Sequence, residues 1–329
     1  MHDAKPASAP PRGENDDVPW RAPVRGGHPD AALAARPGIE FLQALLAGET
    51  PSPPLFRLTG MQPVTLTADR ARYTMPLSPW LCGDDGRVPL GVLAIPADAA
   101  MACAIIADLP AGTAITTSEL ALRQVRPAHP GATVVTTAQV IDLSAAVALA
   151  EVTVADDAGA LIARGGSLCV MLPFSANAEP AGEEAADAAD ADGPDPWQRA
   201  APDAGLGALT GLRPRAVAPG EAIFALPATR WLCAPPPGRA QGGAVAMLAG
   251  AAIDAAMQTA APAGHRFTTL ELKLNYLRPL LTDGREATAH ATLVHSGRRT
   301  AVARADVADA DGRAVAVASG SAIAEPIAS

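Results

Sequence analysis

Two stretches of this chain carry the same residues in the same order 151 positions apart. Leu58-Thr59-Gly60 returns as Leu209-Thr210-Gly211, and Trp80-Leu81-Cys82 as Trp231-Leu232-Cys233. Pro63 and Pro76 are matched by Pro214 and Pro227 at the same spacing. Arg126-Pro127 and Arg278-Pro279 lie 152 apart and Gly159 and Gly312 lie 153 apart, the drift that single insertions in loops produce. An ordered match of this length describes one domain written twice. The length agrees, because 329 residues exceed what a single core usually serves. With 49% hydrophobic but only 3% aromatic residues, the two cores must be built from Ala, Val and Leu.

Composition divides the rest. Residues 1–38 are Pro, Gly and charge without an apolar period and are expected to be a disordered tail; residues 175–204 form an acidic Ala/Pro tract expected to be a linker. The domains are then 39–174 and 205–329. Each carries a strand (71–75; 222–226), a Gly-containing loop, an Ala-rich helix and several further strands. The second helix, from Ala244 to about Met257, is apolar nearly all round and must be wrapped by something. Residues 269–276 and 117–125 alternate as strands with one covered face, 287–293 and 300–307 continue the pattern, and 310–313 and 155–159 read as turns. The fold class is α+β: in each copy a long antiparallel sheet curls around one central Ala-rich helix.

Composition also weighs against several functions. The net charge of −9 and pI near 5.1 argue against a nucleic acid partner. The four cysteines make no CxxC pair and no Cys/His cluster, so neither a zinc site nor a disulfide framework is indicated, and they read as small buried hydrophobes. No uninterrupted apolar run reaches the length of a membrane span, and the N-terminus lacks the apolar stretch of a signal peptide. A cytoplasmic protein with a small-molecule partner is expected.

A loop ending in Gly-Gly that opens a helix, followed by a strand ending in Leu-Arg-Pro, resembles the PaaI-type hotdog acyl-CoA thioesterases. Gln241-Gly242-Gly243 and the helix from Ala244 match the glycine end of that motif, and Leu277-Arg278-Pro279 matches its strand. In the first copy, Gly91 through Asp98 and Ala99 match the acidic end. The resemblance implies two tandem hotdog domains paired as an intrachain pseudo-dimer, open to further homo-oligomerisation. It also implies hydrolysis of acyl-CoA to a free acid and coenzyme A, with no metal or other cofactor.

The departures from the motif are informative. Seven residues after Gly243 stands Gly250 where the acid should be, whereas Gly91 plus seven gives Asp98; conversely Leu90 stands where the first copy needs a glycine. Sites in the family form between two hotdogs, so the resemblance implies one composite site. Its backbone donors come from Gly242 and Gly243, and its acid, Asp98, from the other repeat. Helix-start N–H groups suit a developing oxyanion, and an ionised Asp suits a general base or a nucleophile. Gln241, in place of the family's histidine, orients substrate or caps. Thr116 and Thr117 stand where the family touches the acyl group or water, and Arg126 and Arg278 could meet coenzyme A phosphates. Asp254, one turn beyond Gly250, is a substitute acid or a partnered structural residue. Pro96 either kinks the first helix or delays its start beyond Val92. Two other readings stand beside hydrolysis: a non-catalytic acyl-CoA binder, and a hotdog enoyl-CoA hydratase, whose Gly-Asp-x-Asn-Pro-x-His segment this chain lacks.

Overall fold

Alternation of small apolar and polar residues carries each repeat into six strands, and the Ala-rich run between the second and third becomes a helix. The structure, a computed structural model, describes residues 18–29, 31–174, 194–199, 204–235 and 237–327. The first repeat holds α1 (Ala31–Ala34), α2 (Gly38–Ala47), α3 (Pro54–Thr59), β1 (Gln62–Thr67), β2 (Arg70–Pro76), α4 (Leu90–Ala107), β3 (Thr113–Gln124), β4 (Thr133–Leu143), β5 (Val147–Ala155) and β6 (Leu161–Pro173). The second holds α5 (Leu206–Thr210), β7 (Arg213–Ala218), β8 (Glu221–Pro227), α6 (Gly242–Gln258), β9 (His265–Tyr276), β10 (Glu286–Ser296), β11 (Thr300–Ala308) and β12 (Ala314–Pro326).

All twelve strands join one antiparallel sheet in the order β1-β2-β4-β5-β6-β3-β9-β12-β11-β10-β8-β7. The order reads the same for both repeats outward from the middle, where β3 meets β9 with Glu119 opposite Asn275 and Leu122 opposite Leu272. Register slips between Thr117 and Glu119 in β3, and in the same place between Thr269 and Glu271 in β9. Each bulge adds one residue and re-aims the threonine beside it.

The two long helices lie buried against the sheet and against each other. Small residues set that distance. A methyl built on Gly243 would stand 2.5 Å from Ile95 Cα, and one on Gly91 would stand 3.0 Å from the Ala246 carbonyl. Only backbones without side chains approach so closely. α4 begins at Leu90 and runs through Pro96, so the expectation of a start beyond Val92 is replaced by a helix with an internal proline. With Asp98 included, α4 is long and apolar enough to cross a membrane (18 residues, mean hydropathy 2.0), but 83% of it is buried inside the protein. It is a core helix.

The tail and linker expectations need correcting. Residues 18–29 and 31–38 pack on the body: Pro19 and Gly38 are buried, and Gly27 N–H donates to the Ser52 carbonyl at 2.9 Å. Residues 194–199 do the same through a short turn at Pro196–Gln198, with Pro196 buried. Single prolines and tryptophans hold these segments, and composition averages such anchors away. The remainder of the expected tail, 1–17, and of the expected linker, 175–193 and 200–203, lies outside the described residues.

Candidate active site

A helix that starts without a side-chain cap leaves its first amides open to an outside acceptor. α6 starts this way. Gln241 precedes it in extended conformation (φ −62°, ψ 146°), and its side chain makes no capping bond. That side chain reaches instead to the other repeat, where Nε2 donates to the Ile95 carbonyl at 3.0 Å. Its Oε1 is buried with no partner among the described residues. The Gln241 amide donates to the Leu232 carbonyl at 2.9 Å, which pins the start of the helix to the preceding turn.

The acceptor for the open amides is Asp98. It stands two turns into α4, past the reach of that helix's own N-terminus, so the dipole of α4 does not account for it. Its carboxylate is 5% exposed and accepts the Gly243 N–H at 3.3 Å on Oδ2 and the Thr117 hydroxyl at 3.3 Å on Oδ1. Burial raises its pKa to about 6, outweighing the lowering by the Gly243 amide, the Thr117 hydroxyl and the Gly242 amide. Gly242 flanks the carboxylate, since a methyl there would stand 3.1 Å from Oδ2 and 3.3 Å from Tyr276 Cζ. Tyr276 donates its hydroxyl to the Gly242 carbonyl at 2.8 Å. Behind Thr117, the Cys169 thiol is pushed up to about 11, mainly by burial and then by the nearby Asp98 charge, and stays protonated.

Asp98, Thr117, Gln241, Gly242 and Gly243 are therefore brought together across the boundary between the repeats. The carboxylate and the donors are in contact, without the width of a carbonyl group between them that an oxyanion site in use requires. Other expected residues fall elsewhere. Thr116 neighbours Thr117 on β3, so strand alternation turns it to the opposite, exposed face. Arg126 lies past the far end of β3 with its guanidinium on the Leu161 carbonyl at 2.7 Å, away from Asp98. Arg278 is exposed, two residues beyond Tyr276 in the chain.

Asp254 sits apart from this cluster, half-buried and bonded by the Thr269 hydroxyl, the counterpart of Thr117. Burial raises its pKa to about 6 as well, against the Thr269 bond. At the mirror-image crossing the place of the acid is held by Gly250, where a methyl would stand 3.3 Å from Gly91 Cα. Among the described residues no group of three His, Cys, Asp or Glu is placed to hold a metal ion. Sequence reasoning missed Tyr276 as a site residue. Its only signal is its position at the end of the strand that precedes Leu277-Arg278-Pro279.

A family model described as the thioesterase superfamily matches residues 90–163 and 238–316, both beginning at or just before a buried helix. The TesB protein of Mycobacterium avium subs paratuberculosis is 13% identical, with a TM-score of 0.56 over 83% of this chain and 98% of its own. An acyl-CoA thioesterase II, TesB2, of Mycobacterium marinum is 12% identical, with a TM-score of 0.55 over 83% and 99%. A mutant of the phenylacetic acid degradation protein PaaI from Thermus thermophilus is 31% identical, with a TM-score of 0.33 over 36% of this chain and 96% of its own. No curated protein is significantly similar to the chain in sequence.

Proposed function

This chain belongs to the thioesterase superfamily, whose model matches both repeats, and on that premise we propose that it hydrolyses acyl-CoA to a free acid and coenzyme A at the Asp98–Gly243 crossing. The observation that carries the reading is a buried carboxylate of one repeat, with its pKa raised to about 6, set 3.3 Å from an open helix amide of the other.

In the proposed reaction the thioester carbonyl oxygen takes over the Gly242 and Gly243 amides, and the displaced carboxylate turns to the carbonyl carbon. As general base, Asp98 removes a proton from water as the water oxygen bonds to carbon; the tetrahedral intermediate then expels coenzyme A thiolate, which takes up the proton. As nucleophile, it would bond to that carbon itself and expel coenzyme A thiolate; water attacking Asp98 Cγ would then open the mixed anhydride, releasing the acid, restoring the carboxylate and giving a proton to the thiolate. Single-turnover hydrolysis in ¹⁸O water separates the two, since only the second route places label in Asp98. Coenzyme A enters as part of the substrate, and the route draws on no further cofactor. Gln241 holds the helix start in register with α4, and Arg278, two residues beyond Tyr276, would meet an anionic group of coenzyme A.

The test is release of free thiol by the purified protein across an acyl-CoA panel. A second reading, an acyl-CoA binder without turnover, is favoured by one observation: the carboxylate itself occupies the Gly243 donor. Tight binding of a thioester with no thiol release would select it.

A further inference from the structure

The turn that leads into the donor end of α6 is held by an arm from the other repeat. Pro19-Trp20 and Pro196-Trp197 form matching short turns at Pro19–Arg21 and Pro196–Gln198. They recur 177 residues apart, against 151 for the core, and the extra residues of the first copy include α1 and α2. Each arm precedes one repeat in the chain and docks on the other: the arm at Trp20 lies on the second repeat and the arm at Trp197 on the first.

The two cradles are built from the same residues. A methyl on Gly211 would stand 3.0 Å from Trp20 Cδ2 and 2.8 Å from Pro227 Cγ, and Trp231 Nε1 donates to the Ala22 carbonyl at 3.1 Å. In the other cradle a methyl on Gly60 would stand 2.7 Å from Trp197 Cδ2 and 2.9 Å from Pro76 Cγ, and Trp80 Nε1 donates to the Arg199 carbonyl at 2.7 Å. The arms also meet each other, with Arg25 paired to Asp195 at 2.8 Å.

Beyond the cradles the two repeats part. On the second repeat, the turn Arg230–Leu232 carries Trp231 and passes straight to the site: the Leu232 carbonyl accepts the Gln241 amide at 2.9 Å, and Cys233 bridges to Ala240. On the first repeat the residue in the place of Gln241 is Pro89, which has no N–H, so the equivalent bond to Leu81 cannot form. A continuous path of hydrogen bonds and backbone therefore runs from Ala22 through Trp231 and Leu232 to Gln241, and its mirror image is broken.

We propose that the arm around Trp20 is a positioning strap for the donor-bearing end of α6, whereas the arm around Trp197 only fastens the fold. The proposal rests on the thioesterase reading for its kinetic consequence but not for its structural one. Trp20→Ala and Trp197→Ala remove comparable contacts and serve as a matched pair. Both variants are expected to melt at lower temperature. Only Trp20→Ala should lower kcat, by roughly tenfold or more since small displacements of catalytic groups are costly, with KM nearly unchanged and most of the rate restored in Trp20→Phe. Amide exchange at Gly242 and Gly243 should quicken in Trp20→Ala and stay as in the parent protein in Trp197→Ala, a comparison that needs no turnover. If Trp20→Ala does not fold, Trp231→Phe deletes the indole bond to Ala22 alone and is put through the same two measurements. Equal loss of kcat in both arm variants, or unchanged Gly243 exchange when the Trp20 arm or its indole bond is removed, overturns the strap. A parent protein that hydrolyses no thioester defeats the functional reading instead and leaves the exchange experiment to decide this one.

Discussion

The amide of Gly243 and the carboxylate of Asp98 stand 3.3 Å apart although they belong to different repeats. Asp98→Asn keeps the shape of that contact and removes the proposed base. Turnover is expected to fall by about 10² to 10⁴-fold with the fold intact. Asp254→Asn should stay within about twofold of the parent protein. The reverse pattern would show that the second repeat's helix carries the working acid.

The rate should also report the acid's ionisation. With the Asp98 pKa raised to about 6, chiefly by burial, kcat/KM should climb as pH rises through that value and level above it. Thr117→Val removes a hydrogen bond that lowers this pKa, so the rising limb should move to higher pH. A limb that stays near pH 4 in both proteins would mean that the carboxylate is solvated in the working enzyme.

Stability should run against activity. Asp98 and Asp254 each have a folded pKa of about 6 against an ordinary value of 3.8, so the folded state binds more protons between these limits. Their contribution is fully present below about pH 3.8 and is lost as pH rises through about 6. At pH 8 either Asp→Asn variant should therefore be more stable than the parent protein, by up to about 3 kcal/mol, with the gap closing toward pH 4. Urea melts at the two pH values measure this directly, and a variant that is equally destabilised at both would refute it.

The two glycines at the head of α6 have different tasks. A methyl on Gly243 would meet Ile95 Cα at 2.5 Å and the Ala94 carbonyl at 2.6 Å, which are backbone atoms of α4. Gly243→Ala should thus cost about 1–3 kcal/mol or more in stability. Gly242→Ala crowds Asp98 at 3.1 Å and should cost turnover, roughly tenfold or more, with a smaller loss in Tm. If Gly242→Ala proves the less stable of the two, the tighter packing demand does not lie at Gly243.

Tyr276→Phe tests a residue that composition and spacing did not single out. Without its bond to the Gly242 carbonyl, the first turn of α6 should loosen and kcat should drop several-fold, while thermal stability changes little. No change in kcat would confine Tyr276 to packing.

The doubling of the chain, the buried helices and the meeting of Asp98 with Gly243 were legible because each leaves a mark at fixed spacing. The features that escaped depend on backbone detail. The bulges beside Thr117 and Thr269 decide which threonine faces an acid, and nothing in Thr116-Thr117 distinguishes the two before the register is known. The contact of Gly243 with Ile95 comes from a helix crossing whose closeness no single helix reveals. Trp20 and Trp197 were hidden for another reason. Their repeat has a different spacing from the core, and both lie in segments whose average composition reads as unstructured.

The β3–β9 junction has a consequence for how this protein behaves at low concentration. An acid and its donors on separate subunits must find each other, so such a site empties on dilution below the dissociation constant of the pair. Here they share a covalent chain, and their effective concentration is set by the chain alone. Specific activity should hold constant down to nanomolar protein. The same tether removes a symmetry requirement: a subunit of a homodimer that lost its acid would lose every site, whereas this chain holds Gly250 and Leu90 at one crossing and keeps Asp98 against Gly243 at the other.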